Sequence, residues 1–249
     1  MRLPWVRTPK LTGRPTSANG ASSFHLWWDL ATGAPLREVS ATLQVRQPPA
    51  IAVLHFWALQ VGFARHGRRL GGAHTGLQWH PGAPAGAVNW GGYGPGGGEL
   101  PGVGGDLPMV DSVNTRAWPW YPGRPYRLRV WSPAPGAWRS TITDGADGRT
   151  VDVRDLLVDA DELVEPVVWA EIFARCDDPP TEVRWSELGG VDAQGRPVAV
   201  ASVRVSYQSA ADGGCANTEA RAQAGGFVQL SGLDHPRSGR PGDVLRLGG

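Results

Sequence analysis

Cysteine, lysine and long apolar stretches are all scarce in this sequence. Only two cysteines, Cys176 and Cys215, occur in 249 residues, too few for a scaffold built on disulfides. The sequence leaves open whether they pair or stay apart as buried thiols. Lys10 is the single lysine, and 24 basic residues nearly balance 23 acidic ones for a net charge of +1. Without a basic run interleaved with aromatics, no nucleic-acid footprint is expected. The longest apolar run, Ala50 to Leu59, is strand-sized and carries His55, far short of the ~20 residues that span a bilayer. The first ten residues lack the apolar centre of a signal peptide. The chain therefore reads as soluble and cytoplasmic, or secreted if a leader has been removed.

Several chemical motifs are missing as well. There is no HExxH, CxxC or acidic calcium loop. His74 and His80 would share one strand face, but about 20 Å apart. No metal or cofactor is expected, with structural calcium through loop carbonyls left open. The glycine-rich stretch Gly94–Gly105 lacks GxxxxGK[ST] and a following helix, so it reads as a long loop beside a binding face, not a phosphate cradle. A serine nucleophile is disfavoured because no GxSxG occurs.

What the sequence does contain is glycine (35), proline (22) and tryptophan (12). At 41% hydrophobic and 19% charged, the composition is not that of a disordered chain. Many short strands joined by Gly/Pro turns fit it better. Leu36–Gln47 alternates apolar and polar residues, as do Tyr126–Trp131 and the Val198–Tyr207 part of a predicted strand Val198–Ser209. Trp138–Thr143 is the natural hairpin partner of Tyr126–Trp131. Ser22–Asp29, Ile51–Phe63, Ala73–His80, Ala87–Tyr93, Val164–Arg175, Thr181–Leu188 and Gly226–Ser231 complete the predicted strands. Val151–Leu163 is the one predicted helix, with Asp152 and Asp155 near its start and Leu156, Leu157 and Leu163 as an apolar stripe. These elements predict an all-β, two-sheet antiparallel β-sandwich with one short helix near 151–163. An irregular arm (1–22) precedes the single domain (23–232), and a flexible tail (233–249) follows it.

The tryptophans suggest a ligand. Sugar rings pack an apolar C–H face on aromatic rings while amides and carboxylates bind the hydroxyls. Three clusters combine these groups: His74, Gln78, Trp79 and His80 with Asn89 and Trp90; Asn114 and Arg116 with Trp118, Trp120 and Tyr121; and Trp169, Glu171 and Arg175 with Arg184 and Trp185. Core packing is the competing explanation for each. Pro119 argues for exposure at the second cluster, because proline cannot pair inside a sheet. The expected ligand-binding set is Gln78, Asn89, Trp90, Trp118, Trp120, Tyr121, Trp169, Glu171 and Arg175. If the cleft is catalytic, Glu171 is the best candidate, with Glu187, Glu219 or Asp144 as a second carboxylate.

The segments Gly76-Leu-Gln78, Tyr126–Trp131, Gly136-Ala-Trp138-Arg139 and Val168-Trp-Ala-Glu171-Ile-Phe resemble, in that order, a bacterial family of unknown function with concanavalin-like jelly-roll folds that accompanies carbohydrate-active proteins. The resemblance implies the sandwich and a carbohydrate or similar small-molecule partner. It defines no catalytic residue. The leading expectation is a lectin-like binding domain. An enzyme in the same cleft (glycoside-cleaving through Glu171, or cyclase-like on an apolar substrate) and an interaction protein with an exposed aromatic interface are the alternatives. Oligomeric state is not legible in the sequence.

Overall fold

The structure is a computed structural model and describes residues 9–30, 33 and 35–247. Among these residues there is no helix. The strands are β1 (Ser22–Leu30), β2 (Leu36–Gln47), β3 (His55–Arg65), β4 (Arg68–His80), β5 (Ala83–Tyr93), β6 (Gly102–Val103), β7 (Met109–Val110), β8 (Ser112–Ala117) and β9 (Pro125–Ala134). They continue as β10 (Ala137–Asp144), β11 (Thr150–Leu157), β12 (Glu162–Ile172), β13 (Thr181–Asp192), β14 (Pro197–Tyr207), β15 (Glu219–Gln223), β16 (Gly226–Ser231) and β17 (Val244–Arg246).

Antiparallel pairing arranges these strands in two runs. The first is β17-β14-β1-β12-β3-β4-β5-β8-β7. The second is β15-β16-β13-β2-β9-β10-β11-β6. Leu26, Trp57, Val61 and Trp90 from the first run share one core cluster with Val39, Leu128, Trp138 and Trp185 from the second. Period-two alternation explains this, since each strand gives every other side chain to the core.

The runs do not remain separate. Strand β13 pairs with both β2 and β14, and β12 touches β2 at Leu163–Leu36. Five strands, β1-β12-β2-β13-β14, thus close into a ring. Each corner carries a bulge with a glutamate in the left-handed region: Glu165 (φ 50°) in β12 and Glu187 (φ 52°) in β13. Bulges of this kind bend a strand sharply enough to leave one sheet for the other.

The predicted helix is a correction. Val151–Leu157 lies in β11, and Glu162 already begins β12. Asp152 and Asp155 are not helix-start acids; both accept hydrogen bonds from Arg139 on β10, at 2.5 and 2.7 Å. Leu156 is buried, whereas Leu157 is exposed, the alternation of a strand. The segment after Leu233 holds β17 on the edge of β14, and Arg237 donates to the Cys215 carbonyl and the Thr218 hydroxyl. Residues 1–8 of the N-terminal arm lie outside the described residues. Residues 9–21 lie outside the strands, Ser22 already begins β1, and this stretch donates and accepts backbone bonds with Gly213, Cys176 and Ala216. Cys176 and Cys215 form a disulfide across a sequence separation of 39 residues.

Candidate functional site

Most of the expected stacking platforms are core residues. Trp90 is fully buried, and Trp118 and Trp120 are 2% and 5% exposed. Their rings fill the space between strands. Trp120 packs edge-on against Trp57 and Trp79 and donates its indole N–H to the Gln78 carbonyl at 3.0 Å. Pro119 does keep the segment out of a strand, but the loop folds its two indoles inward. Gln78 and Asn89 are buried too, Asn89 donating to the Thr115 hydroxyl at 3.1 Å. Tyr121 is exposed and carries Arg124 over its ring. Arg175 is tied to Asp177 at 3.1 Å. Neither lines the cavity that holds Glu171.

Two of the expected residues, Trp169 and Glu171, do stand together. They alternate with the core residues Val168, Ala170 and Ile172 along β12, so both point away from the core. Ser23 and His25 project beside them from β1, where Ser23 pairs with Glu171 and His25 with Trp169. On the other side, Gln60 of β3 stands opposite His74 of β4. With Asn19 and Tyr93 these residues line a cavity of about 410 Å³. Among the described residues, no other carboxylate lines it.

Glu171 is the chemically distinctive group. Burial raises its pKa above the ordinary carboxylate value, opposed by hydrogen bonds from Asn19 and Ser23. Asn19 donates to Oε1 at 2.6 Å and the Ser23 hydroxyl lies at 3.4 Å. Burial also pushes both His25 and His74 down to about 4, so each imidazole is neutral near pH 7. The indole N–H of Trp169 donates to Gln60 Oε1 at 3.1 Å. That bond fixes which way the amide faces and leaves the Nε2 hydrogens free to donate elsewhere. Phe56 and His74 pack edge-on against Trp169, at 4.9 and 5.6 Å between centroids, and hold the indole in place.

The proposed second carboxylates do not reach this site. Glu187 accepts from the Thr42 hydroxyl at 2.7 Å, Glu219 from Ser238 at 2.6 Å, and Asp144 pairs with Arg124 at 2.8 Å. Among the described residues, no group of three or more potential metal ligands occurs, and no helix could cross a membrane.

Asn19, Ser23, His25, Gln60 and Tyr93 were missed by sequence reasoning. The polar alternation Ser23, His25, Trp27 along β1 was the available signal. Linking it to Gln60 requires the strand register, which the sequence does not state.

No protein-family model matches the chain, and no curated protein does. Among solved structures, the chain is similar to scytalido-glutamic peptidase bound to a peptide-based transition-state analogue (12% identity, 85% of this chain and 98% of that one, TM-score 0.46). SCP-B, a member of the eqolisin family of peptidases in complex with the tripeptide Ala-Ile-His, matches with the same values. Lectin UEA-II complexed with galactose matches at 10% identity over 91% of this chain and 84% of that one, with a TM-score of 0.35. At these similarities none of them assigns a role to a residue of this chain.

Proposed function

We propose that the cavity on the open face of β1, β12, β3 and β4 hydrolyses a carbonyl-centred bond, an amide or an ester, with Glu171 as general acid–base. The observation that carries this reading is a single desolvated carboxyl beside neutral hydrogen-bond donors. Two-carboxylate glycoside cleavage needs a partner acid roughly 5–10 Å away, and among the described residues no such group lines the cavity. One carboxyl is sufficient for attack of water on a carbonyl carbon. In its ionised form Glu171 takes a proton from the water as the new C–O bond forms. Gln60 Nε2 is the oriented donor available to the developing oxyanion. The protonated Glu171 then returns the proton to the departing nitrogen or oxygen as the old bond breaks. A carboxyl held above its usual pKa suits both transfers near neutral pH. Asn19 acts as a positioning residue, through its bond to Oε1.

A carbohydrate ligand is the second reading. It rests on Tyr93, whose half-exposed ring borders the same cavity next to the amide of Gln60 and the imidazole of His74. In either case a jelly-roll-like sandwich is our reading of the two strand runs. The Cys176–Cys215 disulfide supports an oxidising compartment for the protein.

The discriminating experiment screens fluorogenic peptides, chromogenic esters and aryl glycosides with wild-type protein and the Glu171→Gln variant. Hydrolysis of a peptide or ester by wild type, reduced at least ~100-fold in the variant, is expected for a general acid–base. Intact acyl substrates together with saturable quenching of tryptophan fluorescence by a glycan would replace hydrolysis with carbohydrate binding.

A further inference from the structure

Two arginines at the edge of the fold, away from the Glu171 cavity, carry charge that no ion pair among the described residues neutralises. Arg116 on β8 and Arg154 on β11 are only 5% and 4% exposed. Arg154 Nη1 donates to the Val113 carbonyl at 2.7 Å and to Asn114 Oδ1 at 2.6 Å. Arg116 reaches the Gly104 carbonyl from Nη2, at a long 3.5 Å. Arg116 Nε and Nη1 and Arg154 Nε are enclosed without any acceptor. Among the described residues, neither guanidinium forms an ion pair, although Arg46, Arg65, Arg69, Arg124, Arg129 and Arg139 all do.

Enclosing two like charges without an ion-pair partner is destabilising, and guanidinium N–H groups left without acceptors add to that cost. Burial holds both guanidiniums below their usual pKa. At Arg154 the charge of Arg116 acts in the same direction, and Glu99 opposes it. A group with acceptor oxygens and negative charge would relieve both deficits at once.

The chain that covers them is glycine where it comes closest. The end of the glycine-rich stretch already conspicuous in the sequence, Gly102 to Gly105, lies against the pair. A β-carbon at Gly102 would collide with Arg154 Nη2. One at Gly105 would lie 3.3 Å from Arg116 Nε, and its φ of +103° already favours glycine. Its backbone is held by the pairing of β6 with β11 and, just before that, by the Leu157 N–H donating to the Pro101 carbonyl at 2.7 Å.

We propose that Arg116 and Arg154 form a binding site for a compact oxyanion, a phosphate, sulfate or carboxylate group, admitted beneath the Gly102–Gly105 turn. The planar donor forks of two arginines match such a group. The site is independent of the chemistry at Glu171.

The test is thermal unfolding at constant ionic strength, with sodium chloride replaced stepwise by sodium phosphate, sodium sulfate or sodium acetate. A saturable rise in Tm of about 4 °C is expected for wild type with at least one oxyanion. Phosphate or sulfate acting alone identifies a tetrahedral ligand, and acetate acting as well identifies a carboxylate-type ligand. The Arg116→Met/Arg154→Met double variant should lose the response while melting at or above wild type in chloride, because it buries no unpaired charge. Equal, non-saturating rises in both proteins would reveal a general salt effect and overturn the proposal. Should the double variant fail to fold, calorimetric titration of wild type with phosphate and with sulfate decides, and absence of binding heat for both overturns it. The Glu99→Gln variant should keep the oxyanion response. A response that appears only in that variant would make Glu99 the native counter-ion and overturn the proposal.

Discussion

The two faces of β1 and β12 differ sharply although the same strands build them. Phe24, Leu26, Val168, Ala170 and Ile172 point into the shared core. Ser23, His25, Trp169 and Glu171, their immediate neighbours in sequence, line the cavity. One face is fully satisfied by packing. The other holds a carboxyl and two imidazoles whose charged forms are penalised by burial. The fold thus draws its stability from one set of alternate residues and presents its chemistry on the other. Substitutions on the two faces should separate stability from activity.

The core face should give the largest stability losses. Leu26→Ala is expected to cost about 3–5 kcal/mol, read as a lowered denaturation midpoint. Gly76→Ala should be comparably severe, at about 3 kcal/mol, because its β-carbon would collide with the Trp57 carbonyl of the adjacent strand. Replacing Cys176 and Cys215 by alanine should cost about 3–4 kcal/mol by releasing a closed loop of some 39 residues.

The open face should respond to pH. His25 and His74 titrate near 4 in the fold and near 6.5 when unfolded. The unfolded chain therefore binds more protons below pH 6.5. The stability that the neutral imidazoles contribute is fully present above 6.5 and is lost as pH falls toward 4. A drop on the order of 2–3 kcal/mol for each imidazole, about 5 kcal/mol together, is expected across that window, and His25→Asn/His74→Asn should flatten it. Glu171→Gln should have the smallest effect on stability, within about 1 kcal/mol, since it exchanges a desolvated acid for a neutral isostere. Its effect on turnover should be the largest of the set. A large loss of stability in that variant would mean that Glu171 belongs to the structural face.

Much of the fold was legible. The bounds of β2 follow from clean alternation ended by Pro48-Pro49, and Val198–Tyr207 lies wholly within β14. The failed helix shows the limit: acidic residues at 152 and 155 mimic a helix start, and only the cross-strand position of Arg139 reveals them as strand partners. The ring closure was hidden because it depends on two bulges at glutamates, residues with no turn signature. Within the site, Glu171 and Trp169 were found because they are adjacent on one strand. Gln60, His25 and Asn19 come from three separate segments and meet only through register. The tryptophans misled for a different reason: composition counts indoles but does not say which way they turn. The disulfide was left open by spacing alone and is decided by the chain path.

The most direct test of the account is the titration of Glu171 itself, followed by carbon-13 NMR of the side-chain carboxyl in the wild-type protein. The account predicts a midpoint clearly above the ordinary carboxylate range, shifting further upward in Asn19→Ala as a stabilising donor to the ionised form is removed. A midpoint at or below that of an exposed glutamate would contradict it, because the cavity would then hold an ordinary solvated carboxylate with no acid–base function.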